Sequence, residues 1–289
     1  RDMLNVIVNP QVRKLKKLVA EIDAKCRDRG VPCRFFYSSK RGDARKYARS
    51  LTAAGQTELV VVGGDGTVNE VLSGVADPGA VTLGIIPAGT GNDFAAAAKI
   101  LLGAAAIDMI LDTQPQYTDY IECGTHRSLN IAGTGMDVEI LRRCENMRYG
   151  GRRGKYFRSL LATLFRYRGT KLIVSAEGET REYNAMIAAV CNGRQLGGGI
   201  PLCPVAEVDD NLMELVVVDC PPRGKLLPAL FRLMRGKLLE EPITHHVSCR
   251  AASVTSPEGK LYVQYDGEIF EEESLTACLV SGRLRVWRG

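Results

Sequence analysis

Short apolar runs alternate with amphipathic stretches over the first 110 residues of the chain. The runs at 4–8, 34–37, 59–62 and 83–86 have the length and residue types of buried strands. Between them, apolar residues recur at helical spacing over 12–22, 43–51 and 67–75. Strands buried on both faces and alternating with helices predict an α/β domain with a parallel sheet and right-handed crossovers.

The pattern changes after Gln114-Pro115-Gln116, which we interpret as a linker. Glycine-rich turns now separate short strands, which are predicted at 128–131, 171–176, 183–190, 213–218, 248–253 and 261–265. Two helical stretches, 155–168 and 225–239, interrupt them. The pattern therefore predicts an α/β domain over 1–115 and a mostly β, sandwich-like domain over 116–272.

Charge and hydropathy narrow the classes of partner. The net charge of +5 is too small to predict nucleic-acid binding. Residues 142–171 nevertheless hold ten basic residues and one acid, which indicates either an anionic surface as partner or a solvated face near a phosphate site. No apolar run approaches the roughly 20 residues that span a bilayer, and the first residues lack the apolar core of a signal peptide. We therefore expect a cytoplasmic protein.

A glycine-rich turn follows the third predicted strand, in the sequence VVVGGDGTVNE that ends at Glu70. Glycine lets a ligand approach the bare backbone, and the helix that follows presents free N–H groups at its N-terminus. This combination is typical of a phosphate cradle. The turn lacks the lysine of a Walker A loop and the spacing of a dinucleotide-binding loop. Taken alone, it is equally consistent with a tight strand-to-helix turn.

A second such turn, IIPAGTGNDF, follows the fourth predicted strand and ends at Phe94. Ligands of open parallel sheets bind at the carboxyl ends of the strands, where neighbouring loops meet. Two glycine turns on consecutive strands should therefore lie together, and Asp65 and Asp93 could hold Mg²⁺ against triphosphate oxygens. The pair of turns makes a purely structural role much less plausible for either one.

The two turns resemble the signature loops of the diacylglycerol kinase catalytic domain family, as GGDGT-x-NE and P-x-GT-x-NDFA, and the resemblance extends over nearly the whole chain. It implies an ATP- and Mg²⁺-dependent lipid kinase, with a C-terminal tail, 273–289, that packs back on the α/β domain. The resemblance also implies a set of nucleotide-binding residues: Asn9, Ser38, Gly63, Gly64, Asp65, Gly66, Thr67, Asn69, Glu70, Gly89, Thr90, Asn92 and Asp93.

The chain departs from the family pattern in two places. The glycine that usually follows the first Asn-Pro is absent, because Asn9-Pro10 continues with Gln11. The Asp-Asp-Gly of a loop that holds a structural magnesium in bacterial members is Asp209-Asp210-Asn211 here. Asparagine tolerates the left-handed conformation, so the turn can survive. By resemblance, the predicted ligands of this magnesium are Glu207, Asp210 and Leu212.

The sequence LYVQYDGEIF, which ends at Phe270, predicts a β-hairpin with an Asp-Gly turn, and a hairpin alone explains it. The resemblance adds chemistry, because it implies that Glu268 or Asp266 accepts the proton of the lipid hydroxyl during phosphoryl transfer. The sequence does not separate the two carboxylates.

Both helical stretches of the second domain are basic and amphipathic. Such helices can lie on an anionic membrane, or their apolar faces can simply pack on the β domain. We therefore expect a kinase that acts on a lipid with a free hydroxyl, most simply diacylglycerol, at the inner face of the membrane, and by resemblance a homodimer. The alternatives are a soluble-acceptor kinase of the NAD kinase type and a non-catalytic nucleotide- or lipid-binding regulator.

Overall fold

A computed structural model describes residues 3–146 and 152–289, which fall into two compact units. The first unit is the chain up to Asp119 together with Ser281–Gly289, and the second is Tyr120–Val280. Residues 147–151, in the middle of the basic stretch 142–171, lie outside the described residues.

The first unit is built on a parallel sheet, as the alternation of strands and helices predicts. Its strands are β1 (Leu4–Val8), β2 (Cys33–Tyr37), β3 (Glu58–Gly63), β4 (Thr82–Pro87) and the end of β15 (Ser274–Val286). They lie in the order β15-β4-β3-β1-β2 and every pairing is parallel. Strands β1 and β4 are buried along their whole length, because helices cover both faces of such a sheet.

Five helices accompany this sheet: α1 (Leu15–Asp28), α2 (Asp43–Ala53), α3 (Asp65–Gly74), α4 (Asp93–Ala97) and α5 (Ala105–Asp112). Helix α3 starts two residues earlier than predicted, directly after Gly64. The carboxyl ends of β1, β3 and β4 are paired in register, so that Val8 lies beside Val62 and Gly63 beside Pro87. The two glycine turns therefore leave the sheet at the same edge.

The last residues of the described chain complete the first unit. Val286 pairs with Leu83 of β4, and the Trp287 N–H donates to the Leu83 carbonyl at 3.2 Å. The Trp287 side chain is fully buried. The buried Arg288 guanidinium donates to the Thr118 hydroxyl at 3.0 Å and to the Tyr117 carbonyl at 2.9 Å.

The second unit is mostly β, which confirms the predicted fold class. Its strands are the end of β5 (Gln116–Cys123), β6 (His126–Ser128), β7 (Ile131–Gly135), β8 (Thr170–Ala176), β9 (Glu179–Cys191), β10 (Met213–Asp219), β11 (Thr244–Cys249), β12 (Ala251–Thr255), β13 (Leu261–Tyr265), β14 (Glu268–Glu272) and the first part of β15. The path β14-β13-β7-β9-β8-β12-β15 is antiparallel, and β10 pairs with β9 and β11.

Two hydrophobic cores stabilise the second unit. One is formed by residues that all lie on strands, among them Val190, Leu215 and Val263. The other packs the sheet against three helices, α6 (Met136–Asn146), α7 (Arg152–Leu164) and α8 (Leu226–Met234). A sheet with one strand-lined core and one helix-covered face accounts for the sandwich-like character of the sequence pattern.

Three predicted elements differ from the structure for identifiable reasons. The strand predicted at 128–131 is split between β6 and β7, because backbone N–H groups at 129–131 bind a side chain instead of a strand. The helix predicted at 225–239 ends at Met234, because Gly236 adopts a left-handed conformation with φ of 68°. The strand predicted at 248–253 breaks between β11 and β12, at Arg250.

Candidate active site

The two glycine turns of the first unit are in backbone contact. A Cβ atom on Gly89 would lie 2.5 Å from the Gly64 Cα, and one on Gly64 would lie 3.1 Å from the Gly89 Cα. Gly63 is equally restricted, since its Cβ would lie 2.7 Å from Thr67. The Ala88 N–H also donates to the Gly63 carbonyl at 2.8 Å. Glycine is therefore required where the two turns touch, and the predicted convergence of the turns is observed.

Asn92 and Asp65 hold the second turn in place. Asn92 is left-handed, with φ of 57°, and its side chain accepts from the Gly89 N–H and donates to the Gly89 carbonyl, both at 3.0 Å. The half-buried Asp65 carboxylate accepts from the Phe94 N–H at 3.3 Å. Asp65 is thus at the junction of the two turns.

The other predicted nucleotide residues of the first unit fall into two groups. Asn9 donates to the Thr67 hydroxyl at 3.0 Å, and Glu70 accepts from the Gly42 N–H at 3.0 Å, so both connect turns at the sheet edge. Ser38 donates to the Val8 carbonyl at 3.2 Å. The remaining residues differ in exposure: Asn69 and Asp93 are buried, Gly66 is half-buried and Thr90 is exposed.

The chemistry of this edge fits a magnesium-bound triphosphate. A shallow cleft lies at the junction and is lined by both turns, including Gly64, Asp65 and Asn92. Helix α3 begins here, so its first N–H groups and the positive end of its dipole are available to an anion. Carboxylate oxygens such as those of Asp65 are the ligands that Mg²⁺ prefers. A side chain in place of Gly64 or Gly89 would force the two turns apart.

Asp266 of the second unit is a structural anchor. It begins the turn between β13 and β14 with φ of 50°, and its buried carboxylate accepts hydrogen bonds from a single segment of chain. The donors are the Ser128 hydroxyl and the N–H groups of Leu129 at 2.9 Å, Asn130 at 3.0 Å and Ile131 at 3.1 Å. These four hydrogen bonds tie the hairpin turn to residues 128–131. This contact also explains why the chain leaves the strand at Leu129.

Glu268, two residues further on, has a different environment. It is the first residue of β14, lies opposite Tyr265 in the hairpin and is half-buried. Its position after the turn therefore depends on Asp266, which fixes one side of the hairpin. Which of the two carboxylates accepts a proton stays a prediction.

The sequence reasoning missed two buried residues beside this hairpin. Gln264 accepts from the Gly267 N–H at 2.8 Å and so closes the Asp-Gly turn. Asp137, near the start of α6, is only 3% exposed, and neither of its oxygens has a hydrogen-bond partner of ordinary geometry among the described residues. Burial raises the pKa of Asp137 to about 6, although the Val138 N–H and Gln264 lie near enough to oppose the rise. The Gly-Thr-Gly-Met-Asp sequence that ends at Asp137 is a strand-to-helix turn like the two in the first unit. This sequence could have pointed to Asp137.

The predicted magnesium loop of the second unit is engaged in protein contacts. Glu207 pairs with Arg194 at 3.2 Å, and Asp210 accepts from the Leu212 N–H at 3.0 Å. Asn211 is left-handed, with φ of 66°, as its place in the family's Asp-Asp-Gly requires. Among the described residues no group of three or more His, Cys, Asp or Glu side chains is arranged to hold a metal. The assignment, which relies partly on backbone carbonyls, stays a prediction.

Family models match both parts of the chain. Residues 3–123 match the diacylglycerol kinase catalytic domain, and residues 130–288 match the YegS C-terminal NAD kinase beta sandwich-like domain. A solved structure has the same fold as this chain. The crystal structure of a diacylglycerol kinase from Bacillus anthracis str. Sterne superposes with a TM-score of 0.76 at 22% identity, over 100% of this chain and 97% of that chain.

Two relatives carry the comparison at higher identity. A Pseudomonas aeruginosa (strain PAO1) protein named Probable lipid kinase YegS-like is 33% identical over 85% of this chain and 81% of its own length. The Mycobacterium tuberculosis (strain H37Rv) protein named Diacylglycerol kinase is 32% identical over 80% of this chain and 79% of its own. The fold and the paired glycine turns are thus those of a lipid kinase. The chain belongs to the diacylglycerol kinase catalytic domain family, in the group that carries the YegS-type C-terminal domain.

Proposed function

We propose that the protein transfers the γ-phosphate of ATP to the hydroxyl of a membrane lipid, with diacylglycerol as the first candidate and phosphatidic acid as its product. The observation that carries this proposal is the contact between the turns at Gly64 and Gly89, with Asp65 at their junction. Only bare backbone fits there, and a phosphate can therefore approach both turns and the start of α3 together.

The residues divide the work of phosphoryl transfer. The two turns position and partly neutralise the phosphates, and Asp65, with Asp93, would hold the magnesium ion that neutralises further charge on them. Glu268 accepts the proton of the attacking hydroxyl, a contribution of the order of 10²–10⁴-fold. Asp266 acts as a positioning residue, because its four hydrogen bonds fix the turn that directly precedes Glu268.

An apolar pocket of the second unit supports a lipid acceptor. Its enclosed space is small, about 30 Å³, and it is lined almost entirely by aliphatic side chains from α7, α8 and the sheet, among them Leu164, Met186 and Leu230. Such a lining suits an acyl chain and offers nothing to a sugar or a nucleotide acceptor. We therefore favour a lipid over the NAD-type acceptor, although other lipids with a free hydroxyl share this chemistry.

The protein would work at the inner face of the membrane as a peripheral enzyme, as a homodimer and with a structural magnesium at Glu207, Asp210 and Leu212. No helix in the described ranges is long and apolar enough to cross a bilayer.

Two carboxylate variants test the proposal. Phosphate transfer from labelled ATP is measured to diacylglycerol, to a total lipid extract and to NAD. We expect Glu268→Gln to lower the rate at least 10²-fold while the free energy of unfolding changes little, because Glu268 is half-buried at the end of a strand. Asp266→Asn should instead lower the free energy of unfolding by about 3 kcal/mol or more, since charged acceptors contribute roughly 1.5–3 kcal/mol per hydrogen bond.

Three results would contradict the proposal. Incorporation into NAD alone would identify a soluble-acceptor kinase. Nucleotide binding without transfer to any acceptor would identify a regulator. Full lipid kinase activity in Glu268→Gln would remove Glu268 from the reaction.

A further inference from the structure

Helix α8 presents apolar side chains on two neighbouring faces, about 100° apart. Its inner side packs into the second core through the buried Leu226 and Leu233. Its outer side carries Leu227, Phe231 and Met234, which are 56%, 55% and 44% exposed. These three residues are four and three positions apart, so they form one stripe along the helix. An exposed stripe of large apolar residues on one helix marks an interaction surface.

Positive charge surrounds this stripe. Residues 220–239 contain five basic residues and no acid. One of them, Arg232, is paired with Glu240 and Glu241, and the other four are exposed: Arg223, Lys225, Arg235 and Lys237. Within the described ranges no ion pair involves these four. The Arg235 guanidinium lies 4.1 Å from the centre of the Phe231 ring, so charge and apolar surface are in direct contact.

We propose that the outer side of α8 docks on an anionic phospholipid surface. The apolar stripe of Leu227, Phe231 and Met234 enters the boundary between headgroups and acyl chains, and the four exposed basic residues contact lipid phosphates. A helix with an apolar face and basic flanks lies in the plane of a membrane in this way. The inference rests on the proposed lipid kinase function and names the surface that brings the enzyme to its acceptor.

The position of the basic residues favours a membrane over a protein. Arg223 and Lys225 precede the helix and Arg235 and Lys237 follow it, so positive charge lies at both ends of an apolar stripe about 10 Å long. A two-fold contact between copies through this surface would place like charges together, with no acid between 220 and 239 to pair with them. A bilayer supplies apolar depth and negative charge at once.

The inner side of α8 adds a second reason. Leu226, Leu230 and Leu233 line the apolar pocket of the second unit. The same helix therefore presents apolar side chains both to the outside and to that pocket. Helix α7, which lines the pocket as well, exposes Phe157, and Phe165, the residue after its end, is exposed too.

Sedimentation with vesicles tests the docking surface without catalysis. The full chain is mixed, in the absence of ATP, with vesicles of phosphatidylcholine alone or with 30 mol% phosphatidylglycerol, a fraction set at roughly the anionic level that polybasic segments recognise. We expect Arg223→Gln with Lys225→Gln to weaken partitioning to the anionic vesicles about 25-fold, or roughly fivefold per basic residue. Leu227→Ala with Phe231→Ala should weaken it about tenfold or more, because both lose apolar area that leaves water.

Each pair of substitutions has a matched control. Lys46→Gln with Arg49→Gln removes two exposed charges from α2 of the first unit, and Leu102→Ala with Val247→Ala removes two exposed apolar side chains elsewhere. Both controls should partition like the unchanged protein. Equal losses in the α8 variants and their controls would overturn the proposal, as would binding that is independent of anionic lipid. Capture of a second copy through α8, seen as a dimer that the α8 variants abolish, would assign the surface to self-association instead.

Activity on a monomeric substrate separates this inference from the proposed function. On a short-chain diacylglycerol dissolved below its micelle concentration, the α8 variants should retain the full rate, while on anionic vesicles their rate should fall with their binding. If no diacylglycerol is phosphorylated in either form, the proposed function fails and the vesicle-binding result still stands.

Discussion

The buried carboxylate of Asp137 should make the protein less stable as the pH rises through the mildly acid range. Asp137 is enclosed in the second unit, and neither oxygen has a hydrogen-bond partner of ordinary geometry among the described residues. The ionised form of Asp137 is therefore destabilised in the folded state, whereas water solvates it in the unfolded chain. The substitution Asp137→Asn keeps the shape of the side chain and removes the charge.

The size of the effect follows from the pKa shift. Burial raises the pKa of Asp137 from 3.8 to about 6, a rise of about two units. Each unit corresponds to about 1.4 kcal/mol, so the shift amounts to about 3 kcal/mol of folding free energy. Because the folded-state pKa is the higher one, this contribution is complete below pH 3.8 and is lost as the pH rises through 6.

Urea unfolding followed by circular dichroism, at intervals from pH 4 to pH 7.5, measures this contribution. The difference in free energy of unfolding between Asp137→Asn and the unchanged protein should increase by about 3 kcal/mol, in favour of the variant, from pH 4 to pH 7. Above pH 7 this difference should stay constant. Asp43→Asn is the control, since hydrogen bonds from Ser39 lower the pKa of Asp43 to about 2 and place its titration below this range. A difference for Asp137→Asn that stays constant with pH would refute the reasoning.

Two further predictions concern the first unit. Gly89→Ala should weaken ATP binding, measured by calorimetry, at least tenfold, because the new Cβ would lie 2.5 Å from the Gly64 Cα. The control is Gly154→Ala, since Gly154 is an exposed glycine of α7 with open space around it, and this variant should bind ATP normally. Equal ATP binding in both variants would contradict the phosphate cradle. Trp287→Ala should lower the free energy of unfolding by about 3–5 kcal/mol in urea, and a loss under 1 kcal/mol would mean that the C-terminal segment is dispensable to the core.

Much of the first unit could be predicted from its sequence because its signals are local. A strand buried on both faces is a continuous apolar run, and β1 has the bounds that its run 4–8 predicts. The two glycine turns follow such strands directly, and parallel pairing brings their ends to one edge of the sheet. The order of the strands along the chain is therefore enough to predict that both turns leave the same edge of the sheet. The contact between Gly64 and Gly89 could be predicted on that basis.

The second unit shows where such reasoning stops. Residues 128–131 have the pattern of one strand, but the carboxylate of Asp266, more than 130 residues later, takes hydrogen bonds from their N–H groups and splits it. The distinction between Asp266 and Glu268 depends on the same contact. Asp137 was missed for the same reason, since its pKa follows from burial by residues distant in sequence. Pattern reasoning sees neighbours along the chain, whereas these roles depend on neighbours in space.

The return of Ser281–Gly289 to the first unit has a consequence for biosynthesis. The sheet that carries both glycine turns gains its last strand, and its buried tryptophan, from residues made after the whole second unit has been translated. Domains usually fold in the order in which they leave the ribosome. Here the sheet of the first unit cannot be completed before the second unit has been translated. A ribosome stalled anywhere before residue 281 would therefore hold a nascent chain whose first sheet lacks β15.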